Sequence, residues 1–190
     1  MATGPEDWRS RKFEATHRRI YDVAIGLFQE QGFEQVNVAQ IAKGADVSVP
    51  TFYAHFPSKE HLIMQVPSAE EFAALLATQP ADLSLTERIR RAVPLWLSQW
   101  TPEFRADALT RWKIVAATPS LRTRAAEFER ASGGLVAGAL PTGGSAASDA
   151  IIVNAYMAAY TAALLAWADS DGALPLEDAV NEFFDALERR

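Results

Sequence analysis

The stretch of this chain where residue type and spacing could do chemistry lies around Ser48–His55. Ser48, Val49, Pro50, Thr51, Tyr53 and His55 fall within eight positions, with Lys43 before them and Lys59 after. If that stretch were a short helix lying in the major groove of DNA, its first residues would face base edges. Thr51 would bring a hydroxyl for a base edge and a methyl group for a thymine methyl. Val49 and Pro50 could read apolar shape only. No Arg, Asn or Gln stands in Ser48–His55, so bidentate reading of guanine or adenine is absent from that stretch. Direct readout is then sparse, and more of the recognition falls to Lys43, Gln40, a basic segment and DNA shape.

Other chemistries find little support. There is no cysteine, which excludes disulfide scaffolds, zinc fingers, thiol catalysis and iron–sulfur clusters, and fits a reducing compartment. The three histidines, His17, His55 and His61, lie on different predicted elements, so no metal site is expected. The chain has no Gly-x-Ser-x-Gly elbow, no phosphate-cradling Gly-rich loop ending in Lys-Ser/Thr and no His-Glu-x-x-His. Carboxylate pairs such as Glu70-Glu71 and Glu127/Glu129 are read as solvated helix faces. The expectation is a protein that is not an enzyme and holds no cofactor.

The elements that would position these residues are helical. The chain has 190 residues, 49% hydrophobic and 22% charged, an ordinary globular composition for one domain or two small ones. Ile20, Ala24, Leu27 and Phe28 recur at helical spacing and predict an amphipathic helix ending near Gly32. Ala39, Ile41, Ala42 and Ala45 predict a second, short helix with Asn37 as N-cap. Ser48 caps a third, through His55, and Ser58 a fourth. Pro67 interrupts that one, and Ser68-Ala-Glu-Glu looks like a restart with a capping box. Between helices two and three, Gly44-Ala45-Asp46-Val47 forms the turn, with Asp46 able to take the left-handed position. Further helices fit 86–100, 104–117, 121–140, 149–168 and 176–187, with a Gly/Ser loop at 142–148. No period-2 alternation of β-branched residues appears, so no sheet is expected.

Charge is uneven. The net charge is −6, yet Arg9, Arg11, Lys12, Arg18 and Arg19 form a basic cluster at the start of the chain. After Pro67 the balance is −5. A wholly basic nucleic-acid coat is excluded, but a local basic footprint is not. The N-terminus carries acids and no apolar run, so no export signal is read and a cytoplasmic location is expected. Residues 151–168 are apolar and near the lower limit for a membrane span. They contain Asn154, their flanks are acidic and no Lys or Arg anchors them. The reading is a helix buried by its own core and a partner subunit, with no membrane.

Short helix, tight turn and second helix make a helix-turn-helix. Over some forty residues the chain resembles the N-terminal domain of the TetR family of bacterial transcriptional repressors. The matching features are Ala24…Leu27-Phe28, Gly32-Phe33, Val38…Ile41-Ala42, Val47-Ser48, Thr51…Tyr53…His55-Phe56 and Ser58-Lys59-Glu60…Leu62. They occur in the family's order and at its spacing. Three positions depart. Asp46 stands for the usual turn Gly, Asn37 for the usual Thr that opens helix two, and Pro50 precedes Thr51.

The resemblance implies an all-α protein of about nine helices. Residues 1–58 would form a three-helix DNA-binding domain with a basic N-terminal arm, and residues 59–190 a ligand-binding and dimerisation domain. The DNA-binding set is then Arg11, Lys12, Asn37, Lys43, Ser48, Val49, Pro50, Thr51, Tyr53, His55 and Lys59, with Tyr53, His55 and Lys59 on phosphates. The last two helices would form a four-helix bundle across a two-fold axis, through Ile152, Ala159, Ala163, Val180, Phe183, Phe184 and Leu187. A small-molecule cavity would lie among Trp96, Trp100, Phe104, Trp112, Phe128, Asn154, Met157 and Tyr160, with Thr161 and Lys113 as further polar groups. Those residue types favour an apolar or aromatic effector. The partners implied are double-stranded operator DNA, a second copy of the chain and that effector. Two other readings stay open from the residues: a DNA-binding regulator without an effector, and an all-α interaction or sensor protein that does not bind DNA.

Overall fold

The computed structural model describes residues 5–64, 69–139 and 145–189. Among them are nine α-helices and no strand. The helices are α1 (Pro5–Gln31), α2 (Val38–Gly44), α3 (Val49–His55), α4 (Ala69–Ala77), α5 (Leu85–Ser98), α6 (Pro102–Ala117), α7 (Pro119–Ala139), α8 (Ala146–Asp169) and α9 (Leu176–Glu188). Two 3-10 turns stand at Phe33–Gln35 and Lys59–Leu62. The protein is all-α, as its periodicity predicts.

The chain forms two compact units that divide between Gln65 and Val66. The division falls after the 3-10 turn at Lys59–Leu62. That turn packs on α1, and the Lys59 ammonium donates to the carbonyls of Phe33 (2.9 Å) and Val36 (3.0 Å). These bonds hold the segment in the first unit.

In the first unit, Ile20, Ala24 and Phe28 of α1 are buried at i, i+4, i+8, the stripe that periodicity selects. Ile41 and Ala42 of α2, Phe52 of α3 and Phe56 are buried with them. α1 runs back to Pro5 without a break, so the basic cluster lies on a helix. Residues 6–19 contain no Gly or Pro, and Arg18 pairs with Asp22 one turn on at 3.0 Å. Gly32 ends α1 at φ +83°, a left-handed position that glycine takes freely.

In the second unit, α8 is the central helix and packs against α6, α7 and α9. α5 lies on α9 and α8, and α4 on α5 and α7. α8 is long and apolar enough to cross a membrane by length and composition alone. Val153, Tyr156, Met157, Leu164 and Trp167 are buried among its neighbours instead.

Helix starts show where side chains cap. Ser84 and Glu87 form a capping box, so α5 begins at Leu85 and not Thr86. Thr101 and Ser145 cap α6 and α8, which start two and three residues before the expected Phe104 and Asp149. Ser58 caps no α-helix. Its hydroxyl meets His61 Nδ1 at 3.0 Å, and a 3-10 turn follows. The expected restart at Ser68, residue 140 and the loop residues 142–144 lie outside the described residues.

Candidate functional site

The first unit presents α3 on a scaffold fixed by local bonds. Asn37 and Gln40 close a capping box at α2: Asn37 Oδ1 accepts from Gln40 N at 3.0 Å, and Gln40 Oε1 accepts from Asn37 N at 2.8 Å. Asn37 is therefore the N-cap, and both side-chain carbonyls are engaged. Asp46 takes the left-handed turn position at φ +50°, one of the few non-glycine residues that tolerate it. Arg19 secures the turn from α1 by donating through Nε to Ala45 O at 2.8 Å. Sequence reasoning missed that role, because a contact across 26 residues leaves no local mark.

Ser48 caps α3. Its hydroxyl accepts from Thr51 N at 3.1 Å and lies 2.7 Å from Thr51 Oγ1. Pro50 sits in the first turn, where a helix needs no amide donor. Val49, Pro50, Tyr53 and Ala54 face solvent, with Tyr53 52% exposed. Phe52 points the other way and is fully buried. So α3 shows one exposed face, and Lys43 is exposed at the last turn of α2.

His55 and Lys59 are not on that face. The His55 ring stacks on Phe13 with centroids 4.1 Å apart and lies 5.7 Å from His17. His17 in turn stacks on Phe56 at 4.1 Å. This stack ties α1 to α3. Both Nδ1 atoms are buried without a hydrogen-bond partner. Burial holds both imidazoles below their ordinary pKa, and for His55 the neighbouring His17 adds to the effect. Lys59 also turns inward. Its ammonium binds the two carbonyls named above and sits over the Phe33 ring at 4.1 Å. In this structure the Lys59 ammonium, expected on phosphate, meets the carbonyls of the first residue and of the C-cap of the 3-10 turn at Phe33–Gln35. Of the basic helix, Arg11 and Lys12 are exposed, and Lys12 lies 5.1 Å from the centroid of the exposed Trp8 ring.

The model of the bacterial regulatory proteins of the tetR family matches residues 20–66, which spans the caps, the turn and α3. Over residues 20–66 the chain is similar to the TetR family. Curated relatives agree over their matched parts. The HTH-type transcriptional regulator TcmR of Streptomyces glaucescens is 40% identical over 75 residues, 38% of this chain and 33% of that protein. The HTH-type transcriptional repressor KstR of Rhodococcus jostii is 33% identical over 108 residues, 56% of this chain and 49% of that protein. The chain thus spans a third to a half of the length of these relatives. Among solved structures, Thermus thermophilus FadR, a TetR-family transcriptional repressor in complex with lauroyl-CoA, shares the fold at a TM-score of 0.52. It is 22% identical, and the match covers 90% of this chain and 93% of that one.

The cavity and dimer residues expected from the sequence all lie in the second unit. Part of the aromatic set does come together. Trp96 and Trp100 meet edge-on at 5.1 Å, Trp100 and Phe104 at 4.8 Å, and Tyr160 lies 6.4 Å from Trp96. Trp112 and Met157 are buried, Phe128 is half-buried, and Phe104 is exposed at the start of α6. Trp100 Nε1 is buried with no hydrogen-bond partner. Asn154 donates from Nδ2 to Ala150 O at 2.7 Å. Its Oδ1 occupies the space a Cβ at Gly133 would need, so that glycine permits the close approach of α7 to α8.

Two polar groups escaped the sequence reading. Arg111 is 3% exposed and pairs with Asp107 at 3.1 Å, one turn back. Burial raises the Tyr160 pKa, and the Arg111 charge opposes that shift. Glu129 is half-buried and not a solvated face. Burial raises its pKa, against a hydrogen bond with Thr161. Lys113 does not face the aromatic row. It pairs at the surface with Asp171 at 2.6 Å.

The dimer set also divides. Ala159, Ala163, Val180 and Phe184 are covered within the single chain, so they close its own core and offer no surface to a partner. Ile152 and Phe183 are half-buried and Leu187 is exposed. Ile151, 71% exposed, is an apolar residue of α8 that the helical stripe did not select.

Proposed function

We propose that this chain is a ligand-responsive transcriptional repressor. A homodimer binds a pseudo-palindromic operator through α2 and α3, and a small apolar or aromatic effector bound in the second unit releases it. One observation carries the reading: α3 holds its Val49–Ala54 face to solvent, fixed by the Asn37–Gln40 box, the Asp46 turn and the Ser48 cap. The family model matches this same segment, and the matched relatives are named transcriptional regulators and repressors, which supports it. The aromatic row from Trp96 to Tyr160 supplies the apolar chemistry an effector of that class needs. DNA selects the conformer whose two α3 helices lie one duplex turn apart, and the effector selects another. The two ligands then oppose each other by one coupling energy, typically about 1–3 kcal/mol.

The test is binding of the full chain to the duplex upstream of its own gene, against a shuffled control, in a salt series. The expected result is preference for the native duplex, with affinity falling linearly in log–log as salt rises. Equal, weak binding to both duplexes that is flat with salt would overturn the regulator reading.

A further inference from the structure

We infer that α3 reads its operator chiefly through thymine 5-methyl groups. This rests on the regulator reading above and adds the chemistry of the recognised base edge. The exposed face of α3 carries the Val49 methyls, the Pro50 ring and the Ala54 methyl. Thr51 joins them with its methyl, because its hydroxyl lies 2.7 Å from Ser48 Oγ and its own amide donates to that oxygen. The two hydroxyls of the cap thereby share one hydrogen bond, which holds the Thr51 oxygen at Ser48. Two further polar residues of the DNA-binding set have turned away from this face: His55 stacks under Phe13, and Lys59 binds backbone carbonyls. Tyr53, one turn from Val49, is exposed on the same face, and Lys43 is exposed at the end of α2.

An apolar face in the major groove has one matching feature among the four base pairs, the C5-methyl of thymine. Against guanine O6 and N7 or cytosine N4, the same face would strip water from polar edges and return no hydrogen bond, which penalises those bases. Positive readout of thymine and rejection of G·C come from the same side chains. Sequence-dependent DNA shape is then the lesser contributor at these positions.

The experiment begins with selection by the full chain from a random duplex library. Each thymine of the enriched site is then replaced singly by deoxyuridine, which removes the methyl and keeps pairing and O4. The expected result is a loss of about four-fold at two-fold related thymines in each half-site, the effect of one buried methyl group. Thr51→Ser, which keeps the hydroxyl pair with Ser48, abolishes that sensitivity at one position, and Val49→Ala at another. An enriched site whose affinity is unchanged by every thymine-to-uracil replacement overturns the inference and leaves the regulator reading standing. A library that yields no enriched sequence overturns the regulator reading itself, and this inference with it.

Discussion

The two units differ in their balance of local and long-range bonds. In the first, α2 and α3 are each started by a contact three residues apart, Asn37 with Gln40 and Ser48 with Thr51, and Arg19 of α1 adds a long-range bond to Ala45 O in the turn between them. In the second, the ties join helices far apart in sequence. Arg105 of α6 binds Glu177 of α9 through both guanidinium nitrogens, Nη2 at 2.5 Å and Nη1 at 3.1 Å. Arg122 of α7 binds Asp169 at 2.7 Å and Lys113 of α6 binds Asp171 at 2.6 Å, both at the end of α8. Tyr156 of α8 donates to Glu188 of α9 at 2.8 Å, while Arg90 of α5 binds Asp185 and Glu188. A locally stapled reader keeps its shape when something distant moves. A body whose helices are joined pairwise by long-range polar links passes a displacement of one helix to the others. That difference is what the proposed reading, with the first unit on DNA and the second on an effector, requires.

The largest effects should come from the cores. Phe52→Ala in the first unit and Phe184→Ala in the second each empty a fully covered site and should cost about 3–5 kcal/mol. Denaturant unfolding checks both values. Losses well below that range would mean that either site collapses around the missing ring.

A close second is the α7–α8 approach. Gly133→Ala should destabilise the wild-type chain by about 1–3 kcal/mol, because the new methyl meets Asn154 Oδ1. In an Asn154→Ala background the same change should stabilise by up to about 1 kcal/mol, the helix preference of Ala over Gly. A double-mutant cycle by thermal unfolding reads the reversal of sign. The two local staples come next. Asn37→Ala and Ser48→Ala should each cost about 1 kcal/mol, and Asn37→Ser much less, as a thermal melt would record.

The His17–His55 stack gives a pH dependence. Burial lowers both pKa values in the folded state, so the unfolded chain binds protons first as pH falls. Stability is full above the unfolded value near 6.5 and declines as pH drops from there towards the folded values. Denaturant midpoints across that window should fall in the wild type and stay flatter in a His17→Phe, His55→Phe double variant. Smallest of all is the exposed Arg18–Asp22 pair. Arg18→Ala should change stability by less than about 0.5 kcal/mol.

These differences also explain what could be read in advance. Caps and turns are written in short spacings, so Asn37, Asp46 and Ser48 were legible and took the expected conformations. Helix periodicity also revealed the buried stripe Ile20–Ala24–Phe28. Direction across a helix was harder to read. Val180 and Phe184 share the apolar stripe with Phe183, and the stripe does not tell which residue meets its own core and which a partner. Long-range partners were invisible. Lys59 looked like a phosphate ligand until the carbonyls of Phe33 and Val36 were beside it, and the aromatic neighbours of His55 lie on α1. Glu129 looked like a surface charge, and Arg111 drew no reading, because burial depends on helices that the spacing of charges does not locate.

The account turns on whether the exposed face of α3 meets DNA. The most direct test is an NMR titration of the full chain with a duplex carrying its operator, following methyl and amide signals of Val49, Thr51, Tyr53 and Ala54. The account predicts that these four and the exposed residues at the start of α1 shift most, while the buried ring of Phe52 holds its place. Saturating DNA that leaves the α3 signals unmoved, with shifts confined to the second unit, would contradict it.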